Sequence, residues 1–183
     1  MAGHGDISLT GGSVVDGALH LSEGECGELV CTEPNTVYVI FRTLESAVSY
    51  WLPIVTKSLN ASQIHPALDT FAFFDADGSG TVAFSAVVND IMSDISVDNY
   101  HITCCTRTGN ALTFYIDGVV IGSTTANTGN YYGKMLISAS RRGSVSHVAT
   151  GDTDIRFLAF GTDYHDEATV RNYMAYLAKR YLL

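Results

Sequence analysis

The sequence predicts an all-β protein, a two-layer antiparallel β-sandwich with one C-terminal α-helix. The chain of 183 residues is 46% apolar and only 16% charged, and it contains 17 glycines and 10 tyrosines. Short runs that alternate polar and apolar residues recur between turn-forming glycines and aspartates, as in half-buried strands. Residues 167–181 instead repeat apolar side chains at helical spacing. The length suits one domain, which we expect to span residues 1–183.

Residues 100–122 give the clearest strand signal. Leu112, Phe114 and Ile116 alternate with polar residues, and a similar alternation precedes them from Tyr100 to Cys105. The Asp-Gly pair at 117–118 predicts a hairpin, because both positions tolerate positive φ. We therefore expect a three-strand meander with one apolar side, and a second layer that covers this side.

The remaining elements follow from the same alternation. We expect a loose arm or short strand before residue 12, a hairpin over 13–21, and strands at 28–32, 36–42, 50–57, 70–75, 81–87, 134–139 and 153–160. The strand at 36–42 is the most hydrophobic and is placed at a sheet centre, whereas Pro53 indicates an edge or a bulge. Residues 88–97 suit either a short helix or a crossing loop. Loops are predicted at 59–68, 124–133 and 140–151.

The C-terminal helix is predicted over residues 167–181. Its apolar positions recur every three or four residues, at Val170, Tyr173, Met174, Leu177 and Tyr181. Asp163 and Asp166 are the two candidates for its N-cap. Basic residues at 179 and 180 suit the negative end of the helix dipole.

The central stretch also carries a resemblance. It contains, in order, an aromatic-His-Ile run, a Gly-Asn turn and the run Leu-Thr-Phe-Tyr-Ile-Asp-Gly. This order resembles the central hairpin of the laminin-G-like, concanavalin-A-like lectin and glucanase superfamily. The ending from Gly151 to Phe160, followed by a helix, is similar as well, and residues 16–21 and 36–42 match more loosely. The resemblance implies a jelly-roll sandwich with the last helix lying against it. It indicates a fold rather than a function.

Charge and apolar patterning exclude several classes of partner. Ten basic and 19 acidic residues give a net charge of −9, and no basic stripe is present to neutralise phosphates. We therefore expect no nucleic-acid and no membrane partner. No apolar run reaches the ~18 residues of a spanning helix. The first residues show neither the charged nor the apolar region of a signal peptide.

The four cysteines are predicted to be reduced, with one or two of them small core residues. Neighbours on a strand face opposite sides, so Cys104 and Cys105 cannot enter the same core. A bridge between Cys26 and Cys31 is the alternative.

Two acidic groups are candidates for calcium, the one cofactor that we consider. Asp75, Asp77 and Ser79 match the start of an EF-hand loop, but Ala86 occupies the position of its bidentate Glu. A plain β-turn is therefore the alternative. Asp152 and Asp154 lie on one face at the start of a strand, where calcium or a sugar hydroxyl would fit. Their alternative is a solvated turn before an edge strand.

The sequence argues against an enzyme, and we expect no catalytic residues. The glucanase branch of the resembled superfamily needs carboxylates that alternate along one strand, whereas Glu23 and Glu25 lie in a predicted turn. No Gly-x-Ser-x-Gly or His-Glu-x-x-His motif occurs. His101 is interpreted as a surface or hydrogen-bonded core histidine. A degenerate glycosidase that uses Glu23 and Glu25 remains the third alternative.

Aromatic and amide side chains in predicted loops provide the candidate binding surface. They are Trp51, Asn130, Tyr131 and Tyr132, which suit glycan or protein partners. The leading hypothesis is a non-enzymatic virion protein, a capsid decoration or tail or fibre component that is made in the host cytoplasm. It would form a homo-oligomer and attach to virion proteins or surface glycans. The alternative is an extracellular lectin-like module of a secreted or surface protein, assisted by calcium.

Overall fold

The computed structural model describes residues 7–22, 24–32, 34–44, 52–59, 70–73, 81–86, 89–94, 98–109, 111–125, 131–142, 145–148 and 152–183. Over these ranges the chain forms strands and one helix, with the bounds β1 Ile7–Thr10, β2 Ser13–Val15, β3 Ala18–Leu21, β4 Cys26–Val30, β5 Thr36–Thr43, β6 Leu52–Leu59, β7 Thr70–Phe73, β8 Thr81–Ala86, β9 Asn89–Asp94, β10 His101–Thr108, β11 Ala111–Ile116, β12 Val119–Thr125, β13 Tyr131–Ile137, β14 Ala139–Arg142, β15 Val145–Val148, β16 Thr153–Gly161 and α1 Glu167–Tyr181.

Two antiparallel sheets confirm the predicted all-β sandwich. The larger sheet has the order β12-β11-β10-β5-β16-β3-β2, and the smaller sheet has the order β1-β4-β13-β6-β7. Two hairpins, β8-β9 and β14-β15, stand outside these sheets. The hydrophobic strand β5 lies at the centre of the larger sheet, as predicted.

The first core lies between the two sheets. Most of the buried side chains in this core come from the larger sheet. Strand β13 of the smaller sheet contributes Met135 and Ile137. Leu112, Phe114 and Ile116 all enter this core, which confirms the inward face predicted for β11. Phe41, Phe114, Met135 and Ile137 are each at most 1% exposed. Burial of this apolar surface is the main force that holds the sheets together.

A second core covers the opposite face of the larger sheet. Helix α1 buries Val170, Met174 and Leu177 against that face, where β5, β10 and β11 supply the strand residues Tyr38, Ile40, Ile102, Cys104 and Tyr115. The strand order β12-β11-β10 confirms the predicted meander, but the prediction that only one of its sides is apolar is wrong. Both of its sides are buried, because the helix covers the side that the smaller sheet leaves open.

The cysteines follow this two-sided burial. Cys105 belongs to the core between the sheets and Cys104 to the core under α1, which confirms their predicted opposite faces. All four cysteines are thiols rather than disulfides in the structure. Burial raises the pKa of the Cys104 thiol well above its usual range.

The helix has the predicted bounds and a clear N-cap. The Asp166 side chain accepts a hydrogen bond of 2.8 Å from the Thr169 N–H, so Asp166 rather than Asp163 is the cap. Lys179 and Arg180 lie in the last turn, as predicted. Among the described residues, no helix is long and apolar enough to span a membrane.

Several predicted loops are strands instead. The predicted loop at 140–151 contains most of the hairpin β14-β15, and the ambiguous segment 88–97 contains strand β9, paired with β8. Strand β12 extends to Thr125 and β13 begins at Tyr131, which shortens the loop predicted at 124–133. These segments were misjudged because polar residues occupy much of each strand. At Pro53 the register shifts between Leu52 and Val55, as expected for a bulge, but β6 lies inside its sheet rather than at an edge.

Candidate functional site

The predicted binding residues are only partly covered by the structure. Trp51, Asn130, Asp75, Asp77 and Ser79 lie outside the described residues. Tyr131 and Tyr132 begin β13, so they belong to a strand of the smaller sheet and not to the predicted loop.

Asp154 lies in a different environment from the one predicted. Strand β16 pairs with β5 on one side and β3 on the other, so it is an inner strand and not an edge. Asp154 is only 5% exposed, and Asp152 is half-buried just before the strand. The interpretation of Asp154 as a solvated turn residue is therefore wrong. Among the described residues, no group of three or more His, Cys, Asp and Glu side chains is placed to hold a metal ion.

A hydrogen-bonded row of side chains surrounds Asp154. The strand register places Asp154 opposite both His20 on β3 and Arg42 on β5, and residues opposite each other share a face of the sheet. One carboxylate oxygen of Asp154 lies 2.7 Å from His20 Nδ1, and the other accepts a hydrogen bond of 2.7 Å from Arg42 Nε. The Asp154 bond raises the pKa of Arg42. We call these three residues the Asp154 row.

The row continues to Ser22, and the connectivity is that of a Ser-His-Asp triad. Ser22 Oγ lies 3.2 Å from His20 Nε2. In serine hydrolases the nucleophile's own N–H helps to stabilise the oxyanion. Here the Ser22 N–H donates a hydrogen bond of 2.8 Å to the Glu25 carboxylate. This N–H is therefore already engaged, and a carboxylate occupies the place where an oxyanion would need donors.

Glu25 is itself held by the backbone around it. Hydrogen bonds from the Gly12 and Ser22 N–H groups lower the pKa of the Glu25 carboxyl. The carboxylate is thus stabilised in its charged form as an acceptor that fixes the turn between β3 and β4. A glycosidase acid would instead need a raised pKa, to keep its proton at neutral pH.

Next to the Asp154 row, two arginines lie against one tyrosine ring. The guanidinium carbon of Arg156 is 3.9 Å from the centre of the Tyr100 ring, and that of Arg42 is 4.9 Å from it. Arg156 also donates a hydrogen bond of 2.9 Å to the Tyr181 carbonyl near the end of α1. We call Arg42, Tyr100 and Arg156 the Tyr100 platform.

A β-bulge explains how Arg156 reaches this platform. The pairing of β16 with β5 shifts register between Ile155 and Phe157, which leaves Arg156 without an opposite residue. Ile155 faces the core between the sheets, whereas Phe157 packs against the core under α1. Bulges redirect side chains in this way. The irregularity turns Arg156 toward Tyr100 and toward the C-terminal end of the helix.

An apolar groove of about 710 Å³ lies on another part of the surface. Strand β3 pairs only with residues Thr153–Ile155 of β16, and the groove runs beside the rest of that strand. Its apolar lining includes Leu29, Val30, Cys31, Phe157, Phe160 and Tyr173. Val30 is 67% exposed. A groove beside a strand suits an extended apolar segment of a partner.

Comparisons with known proteins support the fold. A scan against protein-family models gives no match, and a search of curated proteins gives none either. A solved Trypanosoma rangeli sialidase in complex with 2,3-difluorosialic acid is similar, with a TM-score of 0.72 and 10% identity over 96% of this chain and 30% of that one. The binding domain of botulinum neurotoxin serotype D has a TM-score of 0.66 and 9% identity, over 93% of this chain and 46% of that one.

A third solved structure gives the same picture. The receptor binding domain of the botulinum neurotoxin C/D mosaic serotype has a TM-score of 0.66 and 10% identity, over 93% of this chain and 46% of that one. This chain therefore spans less than half the length of each of these three structures. At such identities the likeness shows the fold, a β-sandwich of the predicted kind, and it assigns no function.

Sequence reasoning missed the residues that the structure brings together here. His20, Arg42, Tyr100 and Arg156 were not singled out, and Asp154 was chosen for a different chemistry. Arg42 at the end of the most hydrophobic strand and Arg156 within a largely apolar one were the available signals. Neither signal predicts which residues these arginines contact. The contacts of the site join distant parts of the chain, as His20 and Asp154 do at 134 positions apart.

Proposed function

We propose that this protein is a non-enzymatic binding module of a virus or phage particle surface. In this proposal it serves as a capsid decoration or as a tail or fibre component. It attaches to virion subunits or to surface glycans, and many copies turn weak single-site binding into firm attachment. The carrying observation is the shared sandwich, because solved structures described as a binding domain and as a receptor binding domain match more than nine-tenths of the chain.

Two surfaces support the two kinds of partner. The apolar groove beside β16 offers aliphatic and aromatic contacts to an extended segment of a virion subunit. The Tyr100 platform offers fixed hydrogen-bond donors to a glycan. The engaged Ser22 N–H and the lowered pKa of Glu25 support the non-enzymatic part of the proposal.

Assembly size and a glycan panel test this proposal. We expect light scattering to show a homo-oligomer, and we expect either co-assembly with candidate capsid or tail proteins or binding to at least one glycan class. A monomer that binds neither kind of partner would overturn it. Release of sugar from a polysaccharide, abolished by Glu25→Gln, would overturn the non-enzymatic part.

The alternative is a carbohydrate-binding module of a secreted or surface protein, assisted by calcium. The likeness to a sialidase solved with 2,3-difluorosialic acid favours this hypothesis over other functions outside a virion. A rise in melting temperature with calcium, lost in Asp75→Asn and Asp77→Asn, together with calcium-dependent glycan binding, would select this alternative. Binding to glycans or virion subunits that is unaffected by a chelator would select the virion module.

A further inference from the structure

We infer that the Tyr100 platform binds the anionic group of an acidic saccharide, a carboxylate or a sulfate. The inference rests on the proposed glycan-binding function and names both the place of binding and the chemical class of ligand. It is carried by two guanidiniums that converge on one tyrosine ring, on a face where both are also anchored by hydrogen bonds.

Each guanidinium is held by one of its nitrogens. Arg42 uses Nε to reach Asp154, and Arg156 uses Nη1 to reach the Tyr181 carbonyl. A guanidinium has five N–H donors, and the hydrogen bonds given by the described residues engage one nitrogen of each. Further donors therefore remain on two planar groups whose positions are already fixed. Planar guanidinium forks match the paired oxygens of carboxylate and sulfate groups.

Anchoring favours binding because it removes part of the entropic cost. A free arginine side chain loses rotamer freedom when it grips a ligand. Here the Tyr100 ring and the hydrogen bonds at Asp154 and Tyr181 have already restricted both side chains. The side chain of Arg42 is 35% exposed, so the anchored group still reaches solvent.

The charge balance favours a small anion over a polyanion or a neutral sugar. The Asp154 and Asp98 carboxylates act on Arg42, whereas Arg156 is anchored to an uncharged group, the Tyr181 carbonyl. Within the described residues, the charge of Arg156 is therefore not paired directly with a carboxylate, on a chain whose net charge is −9. The chain as a whole repels a polyanion such as nucleic acid. With two guanidiniums against its ring, Tyr100 is poorly placed to stack on a neutral sugar.

Matched glycan pairs provide the test, on the whole chain of 183 residues. Binding is measured by biolayer interferometry for sialyllactose, a uronate-containing disaccharide and sulfated lactose, with unmodified lactose as the neutral reference. We expect at least one of the acidic glycans to bind at least tenfold more tightly than lactose. We also expect that advantage to shrink as salt rises from 50 to 500 mM, because salt screens exposed charges. The carboxylate and sulfate arms show which anion is preferred.

Arg156→Gln is the principal variant, because loss of Arg42 would also leave Asp154 without one of its partners. We expect Arg156→Gln to remove at least nine-tenths of the advantage for acidic glycans, with an unchanged circular dichroism spectrum. Lys179→Gln, an exposed residue of α1, removes the same charge and should change binding by less than twofold. Arg156→Lys should restore only part of the advantage, because it keeps the charge without the planar fork.

Three results would overturn the inference. They are equal binding of acidic and neutral glycans by the wild type, unchanged acidic-glycan binding by Arg156→Gln, and equal losses for Arg156→Gln and Lys179→Gln. If neutral glycans bind as tightly as acidic ones, the inference fails but the proposed function still stands. Absence of any glycan binding, with no binding to virion subunits, would refute both.

Discussion

One buried carboxylate, that of Asp154, joins three strands of the larger sheet. Both of its oxygens are occupied, by His20 from β3 and by Arg42 from β5. A buried carboxylate is tolerated when such partners satisfy it. The Asp154 row therefore fixes the mutual register of β3, β16 and β5 at the end of the sheet that carries the Tyr100 platform.

Asp154→Asn should destabilise the protein by about 1–3 kcal/mol. This loss of unfolding free energy is smaller than the loss for a fully buried ion pair, because solvent screens the part-exposed His20 and Arg42 side chains. Urea unfolding measures the difference. Asp16→Asn, at an exposed hairpin position with φ of 50°, is the matched control and should stay within about 0.5 kcal/mol of wild type. Equal stability of the two variants would contradict the role of Asp154.

The cysteines should separate into two reactivity classes. Cys104 and Cys105 are buried on opposite sides of one sheet, whereas Cys26 and Cys31 are part-exposed. The thiolate is the reactive form, and burial raises the pKa of Cys104. A disulfide reagent at pH 8 should therefore modify two thiols quickly and two only on unfolding. Four fast thiols would contradict the second core, and loss of the fast pair under native conditions would indicate a Cys26–Cys31 bridge.

At the scale of elements, α1 acts as a third layer on the sandwich. Its buried side chains close the outer face of the larger sheet, and edge-to-face contact of Tyr173 with Tyr38, with ring centres 4.8 Å apart, adds to that packing. The Tyr38 hydroxyl lies 2.8 Å from His165 Nδ1, just before the helix. The start of the helix is thus tied to the central strand β5 of the sheet that it covers.

The N-cap should make the helix sensitive to acid. Hydrogen bonds from the Thr169 side chain and backbone N–H lower the pKa of Asp166. A lowered carboxyl pKa means that the stabilisation is present above the usual Asp value of about 3.9 and is lost as pH falls through the lower folded value. The protection factor of the Thr169 amide, which compares its exchange with that of an unstructured amide at the same pH, should therefore decrease below that range.

Asp166→Asn isolates this effect from the other carboxylates, including Glu25. The amide keeps the acceptor oxygen but loses the titrating charge. We expect a flatter acid dependence at Thr169 in this variant, with the exchange of core amides in β5 unchanged. Identical pH profiles for wild type and variant would contradict a charged cap.

Prediction from sequence succeeded where periodicity is local and failed where pairing is distant. The inward face of β11 and the bounds of α1 follow from residues a few positions apart. The second buried face of β10 depends on a helix about 60 residues further along the chain. The alternation of polar with apolar residues within a strand does not predict this helix contact. The platform depends on a bulge at Arg156 that no short motif marks. Asp154 was singled out by its acidity, whereas its partners follow only from the register of three strands.

At the scale of the whole molecule, the larger sheet ends in an apolar edge. Strand β2 is an outer strand, and its Val14 and Val15 are 77% and 51% exposed. An unpaired edge with exposed aliphatic residues favours pairing with another chain. This edge is therefore the place where we expect two copies to associate.

Val14→Lys should shift the oligomer toward monomer, because a charge on an edge strand opposes edge-to-edge pairing. Analytical ultracentrifugation at several protein concentrations measures the shift. Val119→Lys, on the outer strand β12 at the opposite edge and 59% exposed in the wild type, is the matched control and should leave association unchanged. Equal shifts in both variants, or a shift only in the control, would place the contact elsewhere.

Burial of the larger sheet on both sides also bears on how the chain is made. The strands that carry Tyr38, Ile40 and Cys104 are synthesised well before α1. At the usual pace of about 5–20 residues per second, roughly 6–25 s pass between the synthesis of β5 and that of the helix. Throughout that interval the apolar face that α1 later covers remains exposed to water. Cellular chaperones have most reason to shield the nascent polypeptide at this stage.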